Sequence, residues 1–464
     1  MAVKHSDYTA RRMTELTLAN PKNSRLAALR DALGQGALRA AQRMVNSLHP
    51  AEVAQLLESL PPAQREIVWE FVAPEAEGEV LVELSESVRS DLISEMAPEE
   101  LVAATEHMEV DDLADLVADL PETVTLQLLK SMDDADRERL NSVLAWPKDS
   151  AGGLMNTDTL SVRADASVEV VLRYLRMRGD LPDRTDSLFI VDRRGHYLGA
   201  APLARLLTAD PELPVGETMD IEVPRIAPEL PAQDVARLFQ DRDLVSAAVV
   251  DQDGRLLGRI TIDDVVDVIS EEAAHSVMSM AGLDDEEDIF AGVLVSSRRR
   301  LVWLGINLAT AFLAAAVVSP FEATIEKVAA LAVLMPIVAS MGGIAGTQTV
   351  TLIIRGLALG QIQWSNGRWL LFKEIGVGAV NGLLWALVVG GVTIVWFHTW
   401  KIAVIIAAAM IINLLVAAIV GVTVPLTLRK LRIDPALAAG VILTTFTDCI
   451  GFATLLGLGT LFLT

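Results

Sequence analysis

Residues 402–428 read IAVIIAAAMIINLLVAAIVGVTVPLTL and contain no charged side chain. A helix needs about 20 predominantly apolar residues to cross the hydrocarbon core of a bilayer, so this stretch predicts a transmembrane helix. Four other runs have the same character, the last of them interrupted by a single aspartate: 301–321, 328–354, 375–400 and 435–464. The sequence therefore predicts an all-α domain of five transmembrane helices over residues 298–464.

The rest of the chain has the opposite character. The 464 residues hold 38 Lys and Arg against 61 Asp and Glu, a net charge of −23, yet the mean hydropathy is +0.41. Residues 291–464 carry 11 of the basic and five of the acidic side chains, so residues 1–290 are strongly acidic. Because phosphate binding depends on Lys and Arg, nucleic acid is excluded as a partner of this half. A multidomain membrane protein with an acidic soluble half is predicted.

Basic residues in the short loops predict the orientation of the spans. They concentrate before the first span, between the second and third, and between the fourth and fifth: Arg298, Arg299, Arg300, Arg355, Arg368, Lys373, Arg429, Lys430 and Arg432. Since cytoplasmic loops carry the excess of Lys and Arg, we expect these loops inside and the carboxyl terminus outside. The first 20 residues have no apolar segment typical of a secretory signal. The acidic half is therefore expected in the cytoplasm, beneath the inner (plasma) membrane.

The aspartate of the fifth span is the strongest candidate for function. It ends the phrase TTFTD (444–448). An ionised carboxylate at that depth is costly unless water, a cation or a partner meets it. Two interpretations stay open: a protonated Asp448 bonded to a neighbouring threonine, or a water-filled cation pathway, which we favour. Thr444 and Thr445 are then candidate pore-lining residues, and a twofold axis would make two such carboxylates face each other.

The second span contains the glycine-rich phrase SMGGIAGTQ (340–348). Small residues let helices approach closely in lipid, or let a backbone carbonyl face a pathway, and the sequence does not separate these alternatives. The candidate pore-lining residues here are Gly342, Gly343, Gly346 and Thr347.

The available ligand types favour Mg²⁺ as the cation. Mg²⁺ is bound by one or two carboxylates through retained waters, whereas zinc and copper prefer His and Cys. Cys449 is the only cysteine, which excludes a disulfide framework, and as the neighbour of Asp448 it points to another helix face. The sequence contains no nucleophile–base constellation, Walker loop or metal-binding histidine pair, so an enzyme is not predicted.

Two domains are predicted in the soluble half after a tail or helix at 1–42. Residues 43–147 repeat short helical phrases such as EVDDLADLVADLP (109–121), which predicts an all-α superhelical domain. Residues 148–270 repeat a strand–turn–strand unit, FIVDRRGHYLGA (189–200) and AVVDQDGRLLGR (248–259). With the helical stretches on either side, this part resembles an α/β tandem cystathionine-β-synthase (CBS) pair, with copies at 148–212 and 213–270.

The resemblance to CBS pairs implies a possible nucleotide site. In such pairs a Thr or Ser three residues before an Asp often holds a ribose, and the second copy has Thr261 and Asp264 in this pattern. The first copy has Pro202 and Arg205 instead. ATP is therefore a candidate cofactor on the pattern of the second copy alone.

Carboxylates recur at i,i+4 spacing in both soluble domains. Asp111 and Asp115 share one helix face, and so do Asp263 and Asp267. Like charges so placed repel unless solvent or cations screen them. Two interpretations fit this pattern: acidic helix faces that are simply exposed to solvent, or a sensor for divalent ions. The predicted cation pathway in the membrane domain favours the sensor.

Over nearly its full length the chain resembles the MgtE family of magnesium channels and transporters. The order of domains agrees, as do specific phrases: DDLAD (111–115), SAGGLM (150–155), GRITIDDVVDV (258–268), KEIGVG (373–378), RIDPAL (432–437) and TFTD (445–448). The resemblance implies a homodimer with Asp448 in its pore and a connecting (plug) helix at 271–297. It also implies Mg²⁺ ligands that close the pore at high internal Mg²⁺: Glu79, Asp111, Asp115, Asp243, Asp264, Asp267, Glu272 and Asp434.

Several positions depart from the family pattern. Ile344 and Gly440 stand where the family usually has Asn, and other polar positions are replaced by Thr347, His275 and Ser276. A carrier for Mn²⁺, Co²⁺ or another solute, and a membrane-anchored sensor without conduction, are therefore the alternatives to a Mg²⁺-selective channel.

Overall fold

The computed structural model describes residue 29 and residues 37–105, 108–117, 120–182, 184–283, 287–362 and 364–463. The chain forms two compact units, Met1–Glu272 with Glu286–Ala291, and Ala273–Asp285 with Gly292–Thr464. Most of the predicted tail at 1–42 lies outside the described residues.

The amino-terminal domain of the first unit is helical, as predicted. Proline begins several helices, at a position whose backbone N–H needs no partner. Leu57, Leu81 and Leu116 face inward and are almost fully buried. The α-helices among the described residues are Leu38–Val45, Pro50–Glu58, Pro62–Trp69, Glu77–Val82, Glu86–Glu95, Pro98–Ala104, Val110–Val117, Glu122–Ser131 and Asp134–Leu144.

Two three-stranded sheets follow, and they confirm the predicted tandem pair. In each sheet the first strand runs parallel to the second and the second antiparallel to the third. The hairpin turns contain Gly195 and Gly254 at φ 83° and 84°, a conformation that glycine adopts without strain. The strands are β1 (Ser161–Arg163), β2 (Ser187–Val191), β3 (Tyr197–Pro202), β4 (Arg225–Ile226), β5 (Ser246–Val250) and β6 (Leu256–Thr261); the accompanying helices are Val168–Arg178, Leu203–Thr208 and Ala232–Arg242.

Backbone hydrogen bonds interlock the two copies. The segment that leads into the first copy pairs with the second: the amide of Ala151 donates to the carbonyl of Leu230 at 2.7 Å. Asn156 and Arg259 exchange two backbone hydrogen bonds of 2.8 and 2.9 Å. Neither copy is complete without the other.

The connecting helix differs from the single helix predicted at 271–297. Strand β6 leads directly into helix Ile262–Met280, and the next helix begins at Val293. Gly282, at φ 70°, ends the first of these helices, because its amide and that of Leu283 bond back to carbonyls of the last turn. A helical sequence pattern does not show that a glycine adopts a left-handed conformation. The predicted helix therefore extends past Gly282, where the helix in the structure ends.

Among its described residues, the second unit contains five helices long and apolar enough to cross a membrane, which confirms the predicted number of spans. From first to fifth they are Val293–Lys327, Ala329–Ala358, Asn366–Phe397, Trp400–Lys430 and Pro435–Leu463. The fourth span is the most enclosed, because it packs against the second, third and fifth. The first span contacts the fifth.

A buried ion pair joins distant parts of the first unit. Nη2 of Arg65, a residue that is 2% exposed, lies 2.9 Å from Oδ2 of Asp288. The same guanidinium donates to the carbonyls of Leu57 at 3.1 Å and Leu60 at 3.2 Å. The pair therefore holds residues 287–291 on the helical domain.

Arg65→Ala tests this attachment, because it leaves Asp288 buried without its cation. Removing one partner of a buried pair costs about 3–5 kcal/mol. We expect amide hydrogens of helix Pro62–Trp69 in the full-length protein to exchange at least about a hundredfold faster, since about 1.4 kcal/mol corresponds to a factor of about ten. The control is Arg139→Ala, which removes an exposed pair with Asp136. Equal hydrogen exchange in both variants would contradict the stabilising role of the buried pair.

Candidate functional site

The second and fifth spans of the membrane unit form an open groove of about 510 Å³. It contains four of the predicted pore residues: Gly343, Thr347, Thr444 and Asp448. The other lining residues are Ala339, Ser340, Ile344 and Gln348. Among them, Ser340 and Gln348 were not singled out from the sequence, although they lie within its glycine-rich phrase.

Threonine hydroxyls give the groove oxygen acceptors. Thr347 donates to the carbonyl of Gly343 at 2.9 Å, and Thr444 donates to that of Gly440 at 3.1 Å. Because a hydroxyl has one hydrogen and two lone pairs, each of these oxygens can still accept a hydrogen bond. With the carboxylate of Asp448, they give the groove side-chain oxygen acceptors suited to the water shell of a hard cation.

The hydrogen bonds around Asp448 do not include the one proposed with a neighbouring threonine. Thr445 donates to the carbonyl of Val441 at 2.7 Å, and Thr447 donates to that of Thr444 at 3.1 Å. Among the described residues, no side chain forms a hydrogen bond or ion pair with Asp448. Asp448 lines the groove, whereas Thr445 is not among the lining residues.

The glycines of the second span divide between packing and the groove. A Cβ on Gly342 would lie 2.2 Å from Nδ2 of Asn413, and one on Gly346 would lie 2.5 Å from Cδ1 of Leu443. Both positions therefore require glycine for the fourth and fifth spans to approach. A Cβ on Gly343 would meet nothing within 4 Å, and this residue lines the groove.

Asn413 of the fourth span was missed by the sequence analysis. It is fully buried, and its Nδ2 donates to the carbonyl of Val338 on the second span at 2.8 Å. A Cβ on Gly451 of the fifth span would lie 2.9 Å from the same nitrogen. One amide within an apolar run forms no motif, so only its cost in lipid could have drawn attention to it. Asn413 ties the two groove-forming helices to the fourth span.

Glu374 of the third span is a buried carboxylate to which no role was assigned from the sequence. It is 4% exposed and forms an ion pair with Lys373. Oγ1 of Thr349 on the second span lies 3.4 Å from its Oε2. Because these partners satisfy it and it lies outside the groove lining, its role is in helix packing.

Acidic residues of the helical and CBS domains meet within the first unit. Asp111 is 9% exposed, and its Oδ1 accepts a hydrogen bond of 3.2 Å from Nδ2 of Asn156. The same nitrogen donates to Oε2 of Glu109 at 3.1 Å. Carboxylate oxygens of Glu109, Asp111 and Asp112 lie within 4.8 Å of one another, close enough for one metal ion to contact all three. Of these residues, only Asp111 was predicted as a ligand from the sequence.

Burial and mutual repulsion raise the pKa values of these carboxyl groups. The pKa of Asp111 rises to about 7, chiefly through burial and then through the charges of Asp112 and Glu109. Burial, followed by the charges of Asp111 and Asp263, raises the pKa of Asp264 to about 8. Burial, then Glu109 and Asp264, raises the pKa of Asp112 to about 7. Carboxylates of the helical domain and of the CBS pair therefore raise one another's pKa values.

Two further predicted ligands, Asp115 and Asp267, interact with the same carboxylates. The charge of Asp115 raises the pKa of Asp112. The pKa of Asp267 is raised by burial and then by the charges of Glu83 and Asp263. We name Glu109, Asp111, Asp112, Asp115, Asp263, Asp264 and Asp267 the acidic cluster.

The remaining predicted ligands lie elsewhere. Glu79 is exposed, and so is Asp243, which ends helix Ala232–Arg242 in a left-handed conformation. Glu272 accepts a hydrogen bond from Gln233. Asp434 belongs to the second unit, where its Oδ2 lies 3.4 Å from Nε2 of His275.

Thr261 and Asp264 are engaged at the start of helix Ile262–Met280. The Thr261 amide and hydroxyl both donate to Oδ2 of Asp264, at 3.3 and 3.2 Å, and the hydroxyl also contacts Asp263. These contacts cap the helix. In this structure the two groups that the CBS resemblance assigns to a ribose therefore bond to each other.

Three parts of the chain match known protein families. Residues 335–458 match the family described as divalent cation transporter, MgtE, and residues 48–149 match the MgtE intracellular N domain. Residues 151–212 and 215–271 each match the CBS domain.

Individual relatives cover almost the whole chain. The magnesium transporter MgtE of Thermus thermophilus is 30% identical over 440 residues, which are 94% of this chain and 98% of the relative. The magnesium transporter MgtE of Bacillus subtilis is 25% identical over 431 residues, 93% and 96% of the two chains. A crystal structure of the cytosolic domain of the Mg²⁺ channel MgtE in complex with ATP is 31% identical, covers 52% of this chain and 99% of that chain, and has a TM-score of 0.48.

The raised pKa values predict that Asp264→Asn stabilises the metal-free protein near pH 8. The pKa of Asp264 is about 8 in the folded chain against 3.8 ordinarily, so the folded state binds more protons and stability falls as the pH rises through this window. In EDTA, we expect the Tm of the native chain to decrease from pH 5 to pH 8, and that of the variant to decrease less. Asp134→Asn, at an exposed side chain, is the control. An unchanged pH dependence in Asp264→Asn would refute this assignment.

Proposed function

The chain belongs to the MgtE family of divalent cation transporters, and from this premise we propose that it carries Mg²⁺ into the cell between its second and fifth spans. The observation that carries the proposal is the position of Asp448. It lies midway along the fifth span and in a groove whose lining includes the side-chain oxygen atoms of Ser340, Thr347, Gln348 and Thr444. A carboxylate at that depth is tolerated where water or a cation reaches it.

The chemistry of the lining supports Mg²⁺ as the transported ion. The side-chain acceptors come from one carboxylate, two threonines, a serine and an amide: Asp448, Thr347, Thr444, Ser340 and Gln348. Mg²⁺ prefers oxygen and gives up its waters reluctantly, so it is bound largely through them. The groove gives such a hydrated ion acceptors along its length and one negative charge at mid-depth.

We propose that the chain forms a homodimer in which the second copy encloses the pathway. The groove is open in the single chain. A second copy related by a twofold axis would cover it with the same surface. Two Asp448 carboxylates would then balance the charge of one divalent ion.

The acidic cluster supports regulation by cytoplasmic Mg²⁺. Its carboxylates repel one another, and their raised pKa values reflect that repulsion together with burial. Mg²⁺ bound there would hold the helical domain against the CBS pair, and the repulsion would separate them when Mg²⁺ is scarce. A ligand can shift a conformational equilibrium only if it binds one state better. We propose that the Mg²⁺-bound arrangement corresponds to the closed pathway.

The same proposal predicts the orientation of the five spans in the membrane. The basic loops before the first span, between the second and third, and between the fourth and fifth would face the cytoplasm with the acidic unit. The sensor then measures the Mg²⁺ concentration that the pathway raises, which makes the regulation negative feedback.

Asp448→Asn should abolish Mg²⁺ uptake into proteoliposomes that contain a Mg²⁺ dye. The amide keeps the shape of the side chain but removes the charge that meets the ion. The matched control is Glu322→Gln, which makes the same change at an exposed position outside the groove and should keep native uptake. Undiminished uptake by Asp448→Asn would refute the proposed pathway.

Asp111→Asn combined with Asp264→Asn should weaken closure by Mg²⁺. The two amides remove charges from both sides of the acidic cluster, so bridging Mg²⁺ binds less tightly. In excised patches, we expect the Mg²⁺ concentration at the cytoplasmic face that halves the current to rise at least several-fold. The control combines Asp134→Asn with Asp136→Asn on an exposed helix of the same domain. An unchanged half-closing concentration would argue against the sensor.

A further inference from the structure

Ile344 is the single large apolar side chain among the eight residues that line the groove. It is 56% exposed. Ser340 and Gln348 lie four residues before and after it, so they share its helix face. An exposed isoleucine on a membrane helix usually faces lipid, but the amide of Gln348 and the carboxylate of Asp448 would be costly there. Ile344 therefore faces the same aqueous space as these polar groups.

Packing on the opposite side of the second span fixes this orientation. Gly342 and Gly346 have no room for a Cβ against Asn413 and Leu443. Ile344 is two residues from each glycine, which places it about 200° around the helix from both. Turning Ile344 out of the groove would separate the glycines from their partners and break the hydrogen bond from Asn413 to the second span.

We propose that Ile344 forms an apolar constriction that limits ion flow, an inference that rests on the proposed function. The residue lies midway along the second span. In a pore made of two facing grooves, the two Ile344 side chains would approach each other across the axis. The constriction then separates two parts of the pathway that are lined with oxygen atoms.

The barrier arises from the water that Mg²⁺ carries. The ion keeps several waters as it moves. Oxygen atoms of Ser340, Thr347 and Gln348 can accept hydrogen bonds from those waters, whereas the side chain of Ile344 cannot. Apolar constrictions gate pores because water leaves them readily. Passage of the hydrated ion past Ile344 is therefore the slow step of conduction in the open state.

The test compares Ile344→Asn with Ile344→Leu in proteoliposomes that contain a Mg²⁺ dye. The two new side chains are similar in size and differ in polarity, so a difference in uptake reports the polarity of this position. We expect Ile344→Asn to take up Mg²⁺ several-fold faster than the native chain, and Ile344→Leu to remain well below Ile344→Asn. Adding Asp448→Asn to Ile344→Asn should abolish the increase, because the ion uses the same pathway.

A second amide controls for general effects on the membrane domain. Val380, on the third span, is 70% exposed and outside the groove, and Val380→Asn should leave uptake at the native level. Equal uptake by Ile344→Asn and Ile344→Leu, with native uptake present, would overturn the constriction and leave the proposed pathway standing. An equal increase in Val380→Asn would also overturn it. Absence of uptake in the native chain and in every folded variant would overturn the proposed function itself.

Discussion

A carboxylate in the middle of a membrane helix imposes conditions on everything around it. The charge of Asp448 is tolerable only if polar groups keep water beside it. The second span meets this condition with the hydroxyls and the amide that line the groove. Since the groove is open, the same condition calls for a further surface to separate it from lipid. The polar side chains of the second span that line the groove are therefore those that Asp448 requires.

Close packing behind the groove keeps this arrangement fixed. Gly342 and Gly346 let the second span lie directly against its neighbours, and Asn413 fastens it there with a hydrogen bond to Val338. In lipid there is little hydrophobic force between helices, so close packing and polar contacts of this kind decide their order. The polar face of the second span therefore owes its orientation to residues that do not line the groove.

Structural features that repeat along the chain, or that cost energy in a membrane, could be predicted from the sequence. Features that depend on a single residue could not. Five apolar runs and the 59-residue repeat each extend over many positions of the sequence. The isolated Asp448 carries an evident energetic penalty within an apolar helix. Asn413, Glu109 and Asn156 act through neighbours distant in sequence, and only the folded chain brings those together. Gly282 is similar: its conformation, rather than its identity within a helical pattern, ends the connecting helix.

The interlocked CBS copies have a consequence for cooperativity. The lead-in of the first copy completes its hydrogen bonds on the second, through Ala151 with Leu230 and Asn156 with Arg259. Unfolding either copy would therefore expose unpaired backbone groups of the other, so the two should open as one unit. A ligand that stabilises one copy then stabilises both. A cut in the chain between the two copies would therefore be expected to leave them associated through these hydrogen bonds.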